Sequence, residues 1–267
     1  MFNNEKIKIN PVPRAGADGN PNMIKVLMYH RIVEKVEFVK NHWTCVTVDD
    51  FHRHLELLTR WGFTAITFED YRLFLEGALN LPRHPVIITF DDGYKDTYDL
   101  AYPLLQEYGM KAVVFVLGDR TIKTNYWDQT LGMKEAQLLG PEEIDQMFQS
   151  GIEIGAHSTT HPKLTMIPKE KAWEEISQSK TLLEAQLGAP VRSFCYPYGM
   201  VNNTVKQLVR DAGFSIGCSV DSGPVSFGED QFETDNVFDI DYATRDHHLE
   251  FMVPMRHQRR IPIAFGN

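Results

Sequence analysis

The sequence is short of cysteine, of basic charge and of long apolar runs, and each shortage removes a class of protein. Only Cys45, Cys195 and Cys218 occur in 267 residues, an odd number without C-x-x-C spacing. Neither a disulfide framework nor a cysteine-built zinc site is indicated, which suits a reducing compartment. Lys and Arg total 27 against 36 Asp and Glu, a net charge of -9. With a pI near 5.6 and no basic run to form a local patch, no nucleic-acid partner is expected. No apolar run approaches the roughly twenty residues that a membrane helix requires. Met1 to Gly19 is polar and carries Pro11, Pro13, Gly16 and Gly19 rather than an apolar leader, so the expected location is cytoplasmic. Nothing in the sequence sets an oligomeric state.

What is present is ordinary for a globular domain: 43% hydrophobic and 24% charged residues, with mean hydropathy -0.30. That composition supports a sizeable core and argues against wholesale disorder. No internal repeat or low-complexity linker divides the chain. The expected organisation is a flexible segment over residues 1–22 and a single domain over 23–267.

The order of elements is strand, then helix, several times over. Ile24 to Tyr29 is a buried-strand run, and Asp49 to Trp61 has amphipathic helical spacing. Pro85 to Phe90 is dense in β-branched residues, and Tyr94 to Tyr108 reads as a helix stopped by Gly109. Strand Ala112 to Leu117, helix Pro141 to Ser150 and strand Ile152 to Ala156 follow, with Gly118 to Gly140 as the least regular stretch. A long helix from Pro168 to Leu187, closed by Gly188, leads to strand Val191 to Tyr196, helix Val201 to Ala212 and strand Phe214 to Cys218. Val237 to Asp241 reads as one more strand, followed by a helix. Repeated β-then-α units predict an α/β fold in which helices cover a parallel sheet, open or closed into a barrel.

Three polar clusters fall where predicted strands end: Thr89-Phe90-Asp91-Asp92-Gly93, His157-Ser158-Thr159-Thr160-His161-Pro162 and Phe194-Cys195-Tyr196-Pro197-Tyr198-Gly199. In parallel α/β folds that edge gathers ligands and catalytic groups. Two histidines four apart and a carboxylate from another strand compose a His/His/Asp set that leaves positions for water and substrate. Adjacent Asp91 and Asp92 point to opposite faces of a regular strand, so one can bind metal while the other faces the substrate. Alone, each cluster also reads as loop histidines or a strand-ending turn.

Together and in this order, TFDDGY (Thr89 to Tyr94), HSTTHP (His157 to Pro162) and FCYPYG (Phe194 to Gly199) resemble the first three motifs of the NodB-homology polysaccharide deacetylases, carbohydrate esterase family 4. The likeness spans about Ile24 to Val220 and takes in Leu27-Met28-Tyr29-His30 and Asn125-Tyr126-Trp127-Asp128, features of the exopolysaccharide-type members. It implies a deformed (β/α) barrel, a carbohydrate substrate and hydrolysis of N-acetyl groups from N-acetylhexosamine units. It further implies Asp91 as general base, Asp92, His157 and His161 as ligands of a divalent metal, usually zinc, and the Tyr196 amide as oxyanion donor.

Where many members carry an arginine that holds the catalytic aspartate, this chain has Cys195. Arg192, three residues before it, is the candidate to replace it on the substrate side of the site. Val220-Asp221-Ser222 resembles only the start of a fourth motif, and no Leu-x-Leu-His supplies a general acid. His30, His247 and His248 are the candidates for that role, with His30 first because it lies at a strand end. Tyr94 and Trp127 are expected as walls for a sugar ring, and Tyr198 as a core residue. The alternatives are a cyclic amide or formamide hydrolase on the same fold, or a degenerate carbohydrate-binding domain.

Overall fold

The computed structural model describes residues 24–35, 44–131, 135–219, 234–235 and 238–239. The main sheet contains β1 (Lys25–Tyr29), β4 (Thr64–Ile66), β5 (Pro85–Phe90), β6 (Val113–Val116), β7 (Glu153–Ala156), β8 (Ser193–Cys195), β9 (Ile216–Ser219), β10 (Thr234–Asp235) and β11 (Phe238–Asp239). Its order is β10-β9-β8-β7-β6-β5-β1-β11, with every pairing parallel. β1 lies along the whole of one side of β5, whereas β4 pairs with its first half and β6 with its last two residues. β2 (Arg31–Val33) and β3 (Cys45–Thr47) form a separate parallel pair.

The two outermost strands of this order, β10 and β11, are close neighbours in the chain. Asp235 and Phe238 are only three chain steps apart, which at full extension reach about 11 Å. Edges tied by so short a link require the sheet to curl almost onto itself, so the expected deformed (β/α) barrel is found.

Alternation along the strands separates the interior from the helical layer. Val26, Ile87, Val113, Phe115, Cys195, Ile216 and Cys218 form the interior cluster, which Phe68, Tyr71 and Phe74 of helix α2 (Phe68–Leu75) complete. The opposite positions, among them Leu27, Val86, Ile88, Phe90, Val114 and Val116, pack against helices α1 (Val48–Arg60), α3 (Tyr102–Glu107), α4 (Pro141–Gln149), α5 (Lys169–Leu187) and α6 (Asn203–Asp211).

Local chemistry sets the helix ends. Thr67 and Asp70 exchange side-chain and backbone hydrogen bonds at 2.9 and 3.1 Å to open α2, and Asn202 accepts from the Val205 N–H at 2.9 Å to open α6. Gly188 closes α5 at φ 64, a conformation in which a Cβ would be strained. The expected helix Tyr94 to Tyr108 runs from 95 to 107 with a wide π turn at Thr97–Ala101 inside it, after Tyr94 bridges to Leu138. Pro103 has no N–H for the i−4 carbonyl, which is where a regular ladder fails.

β6 and β7 approach closely at Gly155, where a Cβ would lie 2.4 Å from Phe115 Cδ1 and 2.8 Å from Ser193 Oγ. Gly155→Ala therefore overpacks the barrel by about 1–3 kcal/mol and should lower Tm by about 2–12 °C. A differential scanning calorimetry trace with Tm unchanged would contradict this packing.

Candidate metal centre and active site

Because every strand of the sheet is parallel, the segments after β1, β5, β7 and β8 emerge at one edge, carrying His30, Asp91-Asp92, His157 to His161 and Tyr196 to Gly199. Asp92 Oδ1 lies 3.1 Å from His157 Nε2 and 3.1 Å from His161 Nε2. All three side chains are buried, and their ligand atoms fall within 4.8 Å of one another. Tetrahedral ligands with bonds of about 2.0–2.1 Å sit about 3.3–3.4 Å apart, so this spacing fits one small divalent cation.

The tautomer fits as well. His157 Nδ1 lies 2.8 Å from the Cys195 carbonyl, which can only accept, so Nδ1 carries the proton and Nε2 presents its lone pair toward Asp92. Among the described residues, the four non-glycine positions with positive φ are Asp92 (70), Ser158 (60), His161 (67) and Tyr198 (60). Left-handed backbone is costly for such residues and persists where the surroundings enforce it. Here it ends the strands abruptly and turns the ligands toward a shared centre.

Helix α5 holds the histidine loop. Glu175 Oε2 accepts from the N–H groups of Thr159 and Thr160 at 3.0 and 2.7 Å, and Oε1 accepts from Thr160 Oγ1 at 2.7 Å. Ser158 Oγ takes the His161 N–H at 2.9 Å, and the Tyr126 hydroxyl donates to the Thr160 carbonyl. Beside the base, the Arg31–Asp96 ion pair at 2.9 Å ties β2 to the segment following Asp92.

Electrostatics separates the two aspartates. Burial opposes the charged form of Asp92, but His161 and His157 outweigh it and hold its carboxyl well below the usual range. Burial wins at Asp91 and pushes its carboxyl up, with His30 and His157 opposing. Burial also works against charge on His157, yet its hydrogen bond and charge interaction with Asp92 raise its pKa overall. At His161 burial prevails and the pKa is lowered.

The expected ligand trio is thus brought together, with Asp91 beside it. His30 is half-buried and near enough for its charge to act on both aspartates. Five expectations need correction. The Tyr196 N–H is already given to the Cys218 carbonyl at 2.9 Å as the ladder to β9 continues, so it is not the open oxyanion donor. Arg192 precedes β8 at the far end of the barrel and lies 3.4 Å from Glu69, so it neither reaches Asp91 nor lines the site. Tyr94 is buried with Leu117, Trp127, Ala136 and Leu138, and its hydroxyl donates to Asp128 at 2.5 Å, which leaves no open face for a sugar. Trp127 is also buried and stacks on His161 with ring centroids 4.3 Å apart, bracing a ligand rather than forming an open wall.

Among the described residues the exposed aromatics are Tyr126, Trp173 and Tyr198, and Tyr126 and Tyr198 are 46% and 43% exposed. Tyr198, expected in the core, instead has its ring 4.7 Å from that of His161 and Lys163 Nζ 5.1 Å from its own centroid. Sequence reasoning also missed Glu175, which is 14 residues past His161 on a helix and carries no motif signal. Val220-Asp221-Ser222, His247, His248 and the segment 1–22 lie outside the described residues.

Comparison with known proteins agrees with this geometry. Residues 78–217, a little over half of the chain, match the family described as Polysaccharide deacetylase. YxkH of Bacillus subtilis is 29% identical over 206 residues, covering 77% of this chain and 67% of its own. A Staphylococcus epidermidis protein named poly-beta-1,6-N-acetyl-D-glucosamine N-deacetylase is 22% identical over 237 residues, covering 81% and 78%. The structure of IcaB from Ammonifex degensii superposes with a TM-score of 0.69 at 22% identity, covering 84% of this chain and 95% of that one.

Two outcomes follow. A ligating imidazole must be unprotonated, and the raised His157 pKa brings proton competition above the ordinary value of about 6.5. Lowering the pH from 8 to 6 should therefore weaken zinc binding, by up to about tenfold per pH unit for each proton displaced, with the heat in calorimetry depending on buffer ionisation. Glu175→Ala frees the loop amides and should weaken zinc binding about 10–100-fold while far-UV circular dichroism is unchanged. Unaltered affinity would show that the loop is held without Glu175.

Proposed function

This chain belongs to the polysaccharide deacetylase family, and we propose that it hydrolyses the acetamide of N-acetylhexosamine units with a divalent cation, zinc in the first instance, held by Asp92, His157 and His161. The observation that carries the reading is Asp91: its Oδ1 is buried and has no hydrogen-bond partner among the described residues, immediately beside a converged ligand set. A binding domain would gain nothing from a desolvated, unpaired carboxylate oxygen, which costs stability wherever it is not used.

The cation would supply Lewis-acid polarisation of the acyl carbonyl and a more acidic water. Asp91 takes the proton from the attacking water, and its burial makes it a stronger base than an exposed carboxylate. The loop after β8 faces the developing oxyanion. With the Tyr196 N–H committed and Pro197 without one, the donor in this reading is the Tyr198 amide, held at φ 60 beside His161. His30, whose charge acts on both carboxylates, is the group assigned to protonate the leaving amine. Acetate and a free amino sugar result.

The exposed rings of Tyr126 and Tyr198 offer apolar faces to a sugar at the rim. Poly-β-1,6-N-acetyl-D-glucosamine, named for the staphylococcal relative, is the first substrate to assay.

Purified, zinc-loaded protein should release acetate from N-acetylglucosamine oligomers in preference to opening small cyclic imides. Asp91→Asn should cut kcat by at least about a thousandfold with zinc still near one per chain. His157→Ala should reduce both zinc affinity and turnover. Retention of full activity by Asp91→Asn, or faster imide opening than acetate release, would overturn the proposal.

A further inference from the structure

Among the described residues no Lys or Arg pairs with Asp91, and the donor that its Oδ2 meets is the Cys195 thiol at 3.4 Å. Cys195 is fully buried on β8, directed into the barrel interior with Phe115, Ile216 and Cys218. The parallel register sets Cys195 opposite Cys218 on β9. The same Cys195 presents its carbonyl to His157 Nδ1 at 2.8 Å. One residue therefore touches both the proposed base and a metal ligand, from its two ends.

We propose that Cys195 is a positioning residue, whose thiol, backed by Cys218, aims the Asp91 carboxylate while its carbonyl fixes His157. The inference rests on the deacetylase reading. A thiol is a weak, neutral donor, whereas a guanidinium would neutralise the carboxylate through strong paired hydrogen bonds. A thiol thus orients Oδ2 and leaves Oδ1 free to accept a proton from water. Size matters as well: the interior position beside Phe115 and Cys218 accommodates a sulfur, and its depth excludes water that would otherwise solvate Asp91.

Cys195→Ala removes the donor and keeps the backbone carbonyl. It should lower kcat about tenfold or more through misorientation of the base, with KM and zinc stoichiometry within about twofold of wild type. Cys195→Ser restores a donor and should recover kcat to within about threefold of wild type. A second measurement needs neither metal nor substrate. In the infrared spectrum of the zinc-free protein, the S–H stretching band that Cys195→Ser abolishes should shift to higher frequency in Asp91→Ala, since the thiol loses its acceptor. The proposal is overturned if Cys195→Ala keeps wild-type kcat, if the Ser and Ala variants are equally impaired with zinc bound, or if the band does not move. Absence of deacetylation by the wild-type protein would instead sink the functional reading, and the infrared result would then decide this one.

Discussion

One carboxylate oxygen held 3.1 Å from two imidazole nitrogens is the constraint from which the rest of the site follows. Burying Asp92, His157 and His161 together is unfavourable unless charge and lone pairs have a common partner. The chain concentrates backbone strain at the same place: Asp92 and His161 are left-handed, a conformation costing about 1 kcal/mol or more for such residues. A cation that satisfies all three side chains would offset both terms, and protein lacking it should be the less stable form.

Holding that constellation is the task of the surrounding elements. The parallel sheet delivers the loops to one edge, and its interior is sealed by aliphatic and aromatic residues with α2 contributing three aromatic rings. Glu175 from α5 fixes the histidine loop through its amides, Trp127 stacks on His161, and the Cys195 carbonyl fixes the His157 tautomer. No element does this alone. The ligands lie on two different strand-end loops, and the supports come from a helix, a third strand and the irregular stretch between β6 and α4.

Much of this was legible in the sequence because it is local. The β-branched run Pro85 to Phe90 became β5 with those bounds, and Gly188 closed α5 as its position predicted. The DDG and HSTTHP clusters, read as strand-end groups, meet in space. Contacts across the barrel were not legible. The short strands β2, β3 and β4 carry too few residues for a period, and α2 was hidden in the same stretch. Arg192 was assigned for its nearness to Cys195 in the sequence, but three residues back is the opposite strand phase, and a residue that precedes β8 is separated from the site by the length of that strand. The Tyr196 amide was spent on β9 pairing, which no local pattern announces. Tyr94 and Trp127 were read as open because aromatic residues look alike in sequence whether they face solvent or brace a ligand.

If Asp92, His157 and His161 together hold one cation, X-ray absorption at the zinc edge of protein loaded with one equivalent should show nitrogen and oxygen ligands with the outer-shell scattering of two imidazoles, one of which disappears in His161→Ala. A shell containing sulfur, or two-imidazole scattering that survives that substitution, would contradict it.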